Sequence, residues 1–495
     1  MTEQNPVRAP APRPLDAILG LREPAPAPFL TRLSSYPWLV VGTTCIAAFI
    51  GQVDASIVQL ALPALERVFD ARLHVVSWTA VGYVLAFACF LPVFARLAEI
   101  AGRKLMYLVG FALFGLSSAL CGLAPSLPWL IAFRVLQGVS GAMLGANSIV
   151  ILVAAAGPGR KGRAMGFFAA AQAVGVSAGP ALGGLLLGAL DWRWLFWVSV
   201  PFSLAAAIIG WLVVPVTAAG GADRRFDGRG ALLLMPALTL LLLVLTEVRI
   251  WGALSAATLG CLAAAAGLLV AFVRREQKVP SPLLDILLFR SAAFSGGCVA
   301  IVLSYAMLYG MFFAMSFALV RGYHDTPLAA GLRLAIVPIA LGIAAPFSSG
   351  LSEAHPRTMP IAGMAICAMA AIALTLVMRE GGMAPVMIAL AAYGVGLGLF
   401  IAPNNTATLG AAPAARSGQA GGLLNLLRVF GTGLGVAAAS SLLAWRIRLS
   451  TGIDGHTLGV PEHALLAATG DVLLMLAAFA AIAGGATLLR SPKPA

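Results

Sequence analysis

Residues 37–62, PWLVVGTTCIAAFIGQVDASIVQLAL, hold one charged side chain, Asp54. A hydrocarbon core about 30 Å thick is crossed by about 20 helical residues. This stretch therefore reads as a membrane-spanning helix with a charge inside it. Thirteen further apolar runs of similar length follow, near 74–95, 105–124, 127–154, 164–189, 194–215, 230–248, 253–274, 292–320, 327–351, 358–378, 383–409, 415–445 and 463–489. Together they define spans 1 to 14 of an all-α polytopic membrane protein.

The composition agrees. Of 495 residues, 60 % are hydrophobic and 10 % charged, with a mean hydropathy of +0.95. A soluble domain carries about 25 % charged residues. The net charge of +13 is spread singly between apolar runs, without a basic patch interleaved with aromatics, which excludes nucleic acid as the partner. The lipid bilayer is the partner. No G-x-x-x-x-G-K-[ST] loop is present to cradle a nucleotide phosphate, so any pumping draws on an ion gradient or another protein. All six cysteines lie inside apolar runs and read as free thiols, and the five histidines show no metal-ligand spacing. No metal or cofactor is expected. A membrane-embedded enzyme would need a nucleophile–base or metal constellation, and none is found.

Orientation follows the distribution of Lys and Arg. With the N-terminus cytoplasmic, 21 of the 32 basic residues fall on that side and 8 on the other, leaving Arg134, Arg333 and Arg428 within spans. Both termini are thus expected to be cytoplasmic. Trp38, Trp129, Trp192, Trp251 and Trp445 sit at run ends, where amphipathic rings prefer the headgroup level. Residues 1–36, rich in Pro, Ala and Arg, read as a disordered cytoplasmic tail.

Leu97, Glu99 and Arg103 recur as Leu351, Glu353 and Arg357, at the same offset and in the corresponding connection of each half. This points to a duplicated six-helix bundle: a first over 37–217, a second over 291–489, two inserted helices with their linkers over 218–290, and a short cytoplasmic tail over 490–495. Duplicated halves around a midplane site are how many secondary transporters are built.

A charge inside a span is a functional hypothesis by default. At 1.5 Å per residue, Asp54 lies about 12 Å below the outer end of span 1 and Arg134 about 10 Å below the same face on span 4. The depths match, so the two are expected to face each other. An aspartate that holds its proton in one state and releases it in another is what proton coupling requires; a fixed ion pair joining spans 1 and 4 is the plainer alternative. Arg134, Gly138 and Gly141 share one helical face, open to close approach by a neighbour. Span 5 carries Gly175, Gly179, Pro180, Gly183 and Gly184, a groove of small residues with a proline in it. On span 9, Tyr305, Tyr309, Phe312 and Met315 share a face whose aromatic and thioether groups suit varied ligands, although plain packing explains such a stripe as well.

These residues resemble a family. Asp54-Ala-Ser-Ile-Val-Gln-Leu-Ala-Leu-Pro63 resembles the first-span motif of the 14-span drug–proton antiporters of the major facilitator superfamily (EmrB/QacA type). The segment from Arg134 to Ala142 is similar to that superfamily's span-4 motif, associated with proton transfer, and Gly175 to Gly184 to its span-5 antiporter motif. Asp191 to Pro201 resembles the link into span 6, and Leu424 to Arg428 with Gly431 and Gly433 a late-span pattern. The loop Ala95-Arg-Leu-Ala-Glu99-Ile-Ala-Gly102-Arg103-Lys104 resembles the family's G-x-L-A-D-R-x-G-R-K, departing at Ala95, Glu99 and Ile100; Ser199 replaces the usual Asn.

The resemblance implies a bacterial inner-membrane exporter that exchanges protons for a small amphipathic, lipophilic compound by alternating access. Asp54 would carry the proton and Arg134 modulate it. Glu99, Gly102, Arg103 and Lys104 would form a gating loop, and Gln137, Tyr305, Tyr309, Phe312, Met315, Asn425 and Arg428 the substrate cavity. A periplasmic adaptor is a further partner that such relatives use, although no segment marks a dock. Arg428 could meet an anionic or carbonyl group of a substrate, or backbone carbonyls. Asp471 is the one candidate for a second acid, so with Asp54 as the principal buried acid neutral or monovalent substrates are expected over divalent cations. An exporter dedicated to one endogenous metabolite, siderophore or lipid would share every one of these features.

Overall fold

The computed structural model describes residues 23–216, 227–252, 254–279, 283–354, 357–378, 382–413, 416–453 and 455–489. Within them are fourteen helices long and apolar enough to cross a membrane, each within a few residues of a run read above. The largest differences are extensions beyond the apolar run. Span 1 continues to Phe69, span 2 to Ala101 and span 13 to Thr451. The 34 residues from Tyr36 to Phe69 rise about 50 Å at 1.5 Å each, well past a 30 Å core. The extension closes at Asp70, whose left-handed φ of 44° ends the helix.

Packing repeats with a period of eight spans. Span 1 packs on span 5 as span 9 does on span 13; span 2 packs on span 4 as span 10 does on span 12; span 3 packs on span 4 as span 11 does on span 12. The seams between the two sets are also equivalent: span 5 meets span 10, and span 13 meets span 2. Spans 7 and 8 pair with each other outside this repeat, and span 7 rests on spans 2 and 13. There Glu247 accepts a hydrogen bond from the Trp78 indole at 3.1 Å. The side chains of Leu351 and Glu353, two of the three residues in the second copy of the short repeat, lie outside the described residues, as do residues 1–22.

Two readings of the ends are corrected. Residues 23–35, assigned above to a disordered tail, dock on the first bundle. The Glu23 carboxylate accepts the backbone N–H groups of Lys104 (3.1 Å) and Leu105 (3.4 Å). These are among the orphan donors that every helix N-terminus presents, here at the start of span 3. Ala27 N–H donates to Leu212 O at 2.8 Å, and the Tyr36 hydroxyl to Val213 O at 2.9 Å. Trp192, read as an interfacial ring, is 2 % exposed and packs edge-on against Phe69 and Phe196.

Candidate functional site

Asp54 and Arg134 meet as their depths require. Arg134 Nη1 lies 2.6 Å from Asp54 Oδ2, and both side chains are buried from solvent. The pair has a third member. Gln137, one turn beyond Arg134, donates from Nε2 to Asp54 Oδ1 at 2.8 Å and to Ser118 Oγ at 2.8 Å, and its Oε1 accepts from Arg134 Nη1 at 2.6 Å. Arg134 Nε donates to the Thr79 carbonyl at 2.9 Å. Both carboxylate oxygens and the Arg134 Nε and Nη1 groups thus have partners inside the protein, as buried ionic groups require. Gln137 belongs to this charge centre and not to the cavity wall where the sequence placed it. Its i, i+3 spacing from Arg134 was the available signal.

Span 2 covers the centre. The Arg134 guanidinium sits over the Tyr83 ring, 4.3 Å from its centroid. That approach depends on Gly138, where an added Cβ would stand 2.2 Å from Tyr83 O. Tyr83 also lines the adjoining cavity, so it touches both the charge centre and the open space.

A cavity partly open to solvent lies between the bundles. Gln52 and Gln172 line it from spans 1 and 5, Tyr305 and Tyr309 from span 9, and Asn425 and Arg428 from span 13. Polar contacts cross it: the Tyr309 hydroxyl donates to Gln52 Oε1 at 3.2 Å, and Arg428 Nη1 to Gln172 Oε1 at 3.1 Å. Arg428 Nη2 also donates to Asn425 Oδ1 at 2.5 Å. Phe312 and Met315 are not on the wall. Every residue from Ala306 to Leu319 is buried, so beyond Tyr309 span 9 is enclosed on all sides and its stripe becomes core.

The span-5 glycines hold neighbouring backbones at short range. Cβ atoms added at Gly175, Gly179 and Gly183 would meet span 1 at Phe49 O (2.7 Å), Ser56 Oγ (1.8 Å) and Ile57 Cγ1 (2.9 Å). One added at Gly184 would meet the second bundle, 2.4 Å from Pro327 O, and one at Gly331 would lie 2.2 Å from Pro180 O. Gly183 and Gly184 therefore face different bundles.

The expected gating loop shrinks to Gly102, with Glu99 in the last turns of span 2 and Arg103 opening span 3; Glu99 pairs with Arg96 and, at 3.3 Å, with Arg103, which reaches Asn147 Oδ1 at 3.5 Å. Gly102 adopts φ +108°, open only to glycine. Lys104 is fully buried as the second residue of the span-3 helix, and its ammonium donates to Trp211 O at 2.9 Å. Its place is under span 6, not in a loop.

A cluster that the sequence reading missed joins the bundles at the ends away from the termini. Glu66, fully buried, accepts from Thr457 N and Thr457 Oγ1, each at 2.6 Å, and pairs with Arg321 at 3.1 Å. Arg321 also donates to Pro63 O at 2.8 Å, and Leu73 N–H to Gly455 O at 2.6 Å. A π-helical turn over Ala318–Gly322 carries Arg321. Asp54 is thus not the one acid buried in span 1. Asp471, the expected second acid, forms an ion pair with Arg446 and its side chain is 30 % exposed.

The family model described as Major Facilitator Superfamily matches residues 44–436. The chain is 30 % identical over 417 residues to the tetracenomycin C resistance and export protein of Streptomyces glaucescens, covering 84 % of this chain and 77 % of that one. It is 32 % identical over 422 residues to multidrug resistance protein Stp of Mycobacterium tuberculosis, covering 84 % and 78 %. Riboflavin transporter RibZ of Clostridioides difficile is 27 % identical over 424 residues, covering 85 % and 91 %. Among solved structures, a bacterial homologue of the human lysosomal transporter Spinster, inward-facing and unoccupied, superimposes with a TM-score of 0.67 at 16 % identity over 94 % of this chain and all of that one.

Proposed function

The chain belongs to the major facilitator superfamily and is a multi-pass membrane transporter, and from that membership we propose that it exports small amphipathic compounds in exchange for protons, through the cavity beside Asp54. The observation that carries the proposal is the buried Asp54–Arg134 pair, with the Tyr83 ring in contact with Arg134 and on the cavity wall. Protonating Asp54 cancels its attraction for Arg134. The guanidinium must then find new partners, and the nearest moveable element is the span-2 segment of Thr79 and Tyr83 that already touches it. A proton arriving at Asp54 is in this way coupled to the packing of a cavity wall.

In the proposed export cycle the described state is the one that loads the compound. The Glu66 cluster closes the bundle ends away from the termini, and the cavity lies among the parts of spans 1, 4, 5 and 13 nearer the side of the termini. With both termini in the cytoplasm of a bacterial inner membrane, the compound enters from the cytoplasm and the proton from outside.

The multidrug resistance relative favours a broad substrate range, and the tetracenomycin C and riboflavin relatives each favour one compound. One assay separates these readings. Purified protein in proteoliposomes with an acidic interior is exposed to a panel of lipophilic compounds while proton efflux is recorded, for wild type and Asp54→Asn. Efflux triggered by several compounds and lost in the variant supports the exporter with Asp54 as carrier. Efflux triggered by one compound supports the dedicated reading. Efflux that persists in Asp54→Asn removes Asp54 from the role.

A further inference from the structure

Five arginines packed in the bundles and at their seams are neutralised by carboxylates. Arg134 pairs with Asp54, Arg321 with Glu66, Arg333 with Asp325, Arg275 with Asp227 and Arg446 with Asp471. Arg428 does not follow them. Its hydrogen-bond partners are two neutral amide oxygens, Gln172 Oε1 and Asn425 Oδ1. Among the described residues no carboxylate stands within ion-pair distance of it, and none lines the cavity.

An arginine cannot shed its charge by deprotonation. An uncompensated cation inside a span is costly and is retained where it has a use. Here the amides of Gln172 and Asn425 fix the guanidinium at the cavity wall through two of its five N–H groups, without cancelling its charge. The remaining wall supplies flat apolar surface from Phe87, Phe114 and Phe168 and the ring of Tyr309, with the Tyr305 ring beside the guanidinium. Aromatic faces accept a planar ring system, and a fixed guanidinium accepts an anionic oxygen, by two parallel hydrogen bonds in the case of a carboxylate.

We infer that Arg428 selects the substrate by charge: the cavity takes planar aromatic compounds bearing an ionised oxygen, such as a carboxylate, phenolate or enolate, and rejects aromatic cations. The inference rests on the exporter reading for the role of the cavity and narrows it. The expectation narrows from neutral or monovalent compounds in general to acidic aromatics, because the charge that a cationic drug would need on the wall is absent and the opposite one is present.

Equilibrium binding tests this without any gradient. Three probes of equal ring size, anthracene-9-carboxylate, anthracen-9-ylmethanol and anthracen-9-ylmethylammonium, are titrated calorimetrically into detergent-purified protein at neutral pH, with protein-free micelles as reference. The carboxylate is expected to bind at least about tenfold more tightly than the ammonium, a difference of about 1.4 kcal/mol. Arg428→Gln should abolish the preference and Arg428→Lys should keep part of it, with melting temperatures showing that both variants are folded. The wild-type comparison stands even if a variant does not fold. Equal or tighter binding of the ammonium, no binding of any probe, or an undiminished carboxylate preference in Arg428→Gln overturns the inference. Charge preference without proton exchange would count against the exporter reading alone, and proton exchange with cations preferred against this inference alone.

Discussion

Gln137 holds one oxygen of Asp54 at 2.8 Å while accepting, at 2.6 Å, from the Arg134 that holds the other oxygen. The charge centre is therefore a ring of three side chains. Two come from consecutive turns of span 4 and one from span 1, and each polar atom of the amide is used.

Replacing Gln137 with Met keeps the volume and removes the ring's third member. Asp54 Oδ1 and Ser118 Oγ each lose a partner in a place that water does not reach. The expected loss is about 1–3 kcal/mol of stability for the buried groups left unsatisfied. Thermal unfolding in detergent should show a lower midpoint than wild type, and an unchanged midpoint would mean that the amide is dispensable.

Gly184 and Gly188 lie one turn apart on span 5 and should respond differently to the same substitution. A Cβ at Gly184 would stand 2.4 Å from the backbone oxygen of Pro327, whereas one at Gly188 meets nothing within 4 Å. Gly184→Ala must push spans 5 and 10 apart, at about 1–3 kcal/mol for overpacking. Gly188→Ala is expected to stay within about 0.5 kcal/mol of wild type. Unfolding midpoints of the two variants, measured side by side, check the contrast.

Glu66→Gln should open the closed end. The variant keeps a hydrogen-bonding amide for Thr457 but leaves Arg321, whose side chain is 10 % exposed, without its counter-charge, and a buried charge stripped of its partner is destabilising. Spin labels on Leu190→Cys and Glu462→Cys, one on each bundle near that end, report the separation. A longer-distance population should grow several-fold over the unsubstituted pair. An identical distance distribution would remove Glu66 and Arg321 from the closure.

Much of this molecule is legible in one dimension. Spans are local: a helix satisfies its own backbone in lipid, and hydrocarbon penalises each charge where it sits, so apolar runs give the fourteen helices to within a few residues. The same penalty makes Asp54 and Arg134 conspicuous, and equal depth on antiparallel helices suffices to pair them. Glycine spacing marks the faces of spans 4 and 5 that neighbours approach closely.

Other features are decided only by which helices pack together. Glu66 reads as one more polar residue on the helix leaving span 1, because its partners Arg321 and Thr457 come from the other bundle, and Thr457 lies 391 positions along the chain. Tyr305 and Phe312 look alike on the span-9 stripe, yet one faces the cavity and the other is sealed in core. Glu23 reads as a residue of a polar tail until the start of span 3 offers it two free N–H groups. The sequence alone determined which residues enter the bilayer and which charges must find partners there, since those costs are fixed within a turn or two of helix. The tertiary structure alone decided which partners they found, and left Arg428 at the cavity with two amides and no counter-charge, since a long side chain's neighbours belong to helices that hydropathy does not connect.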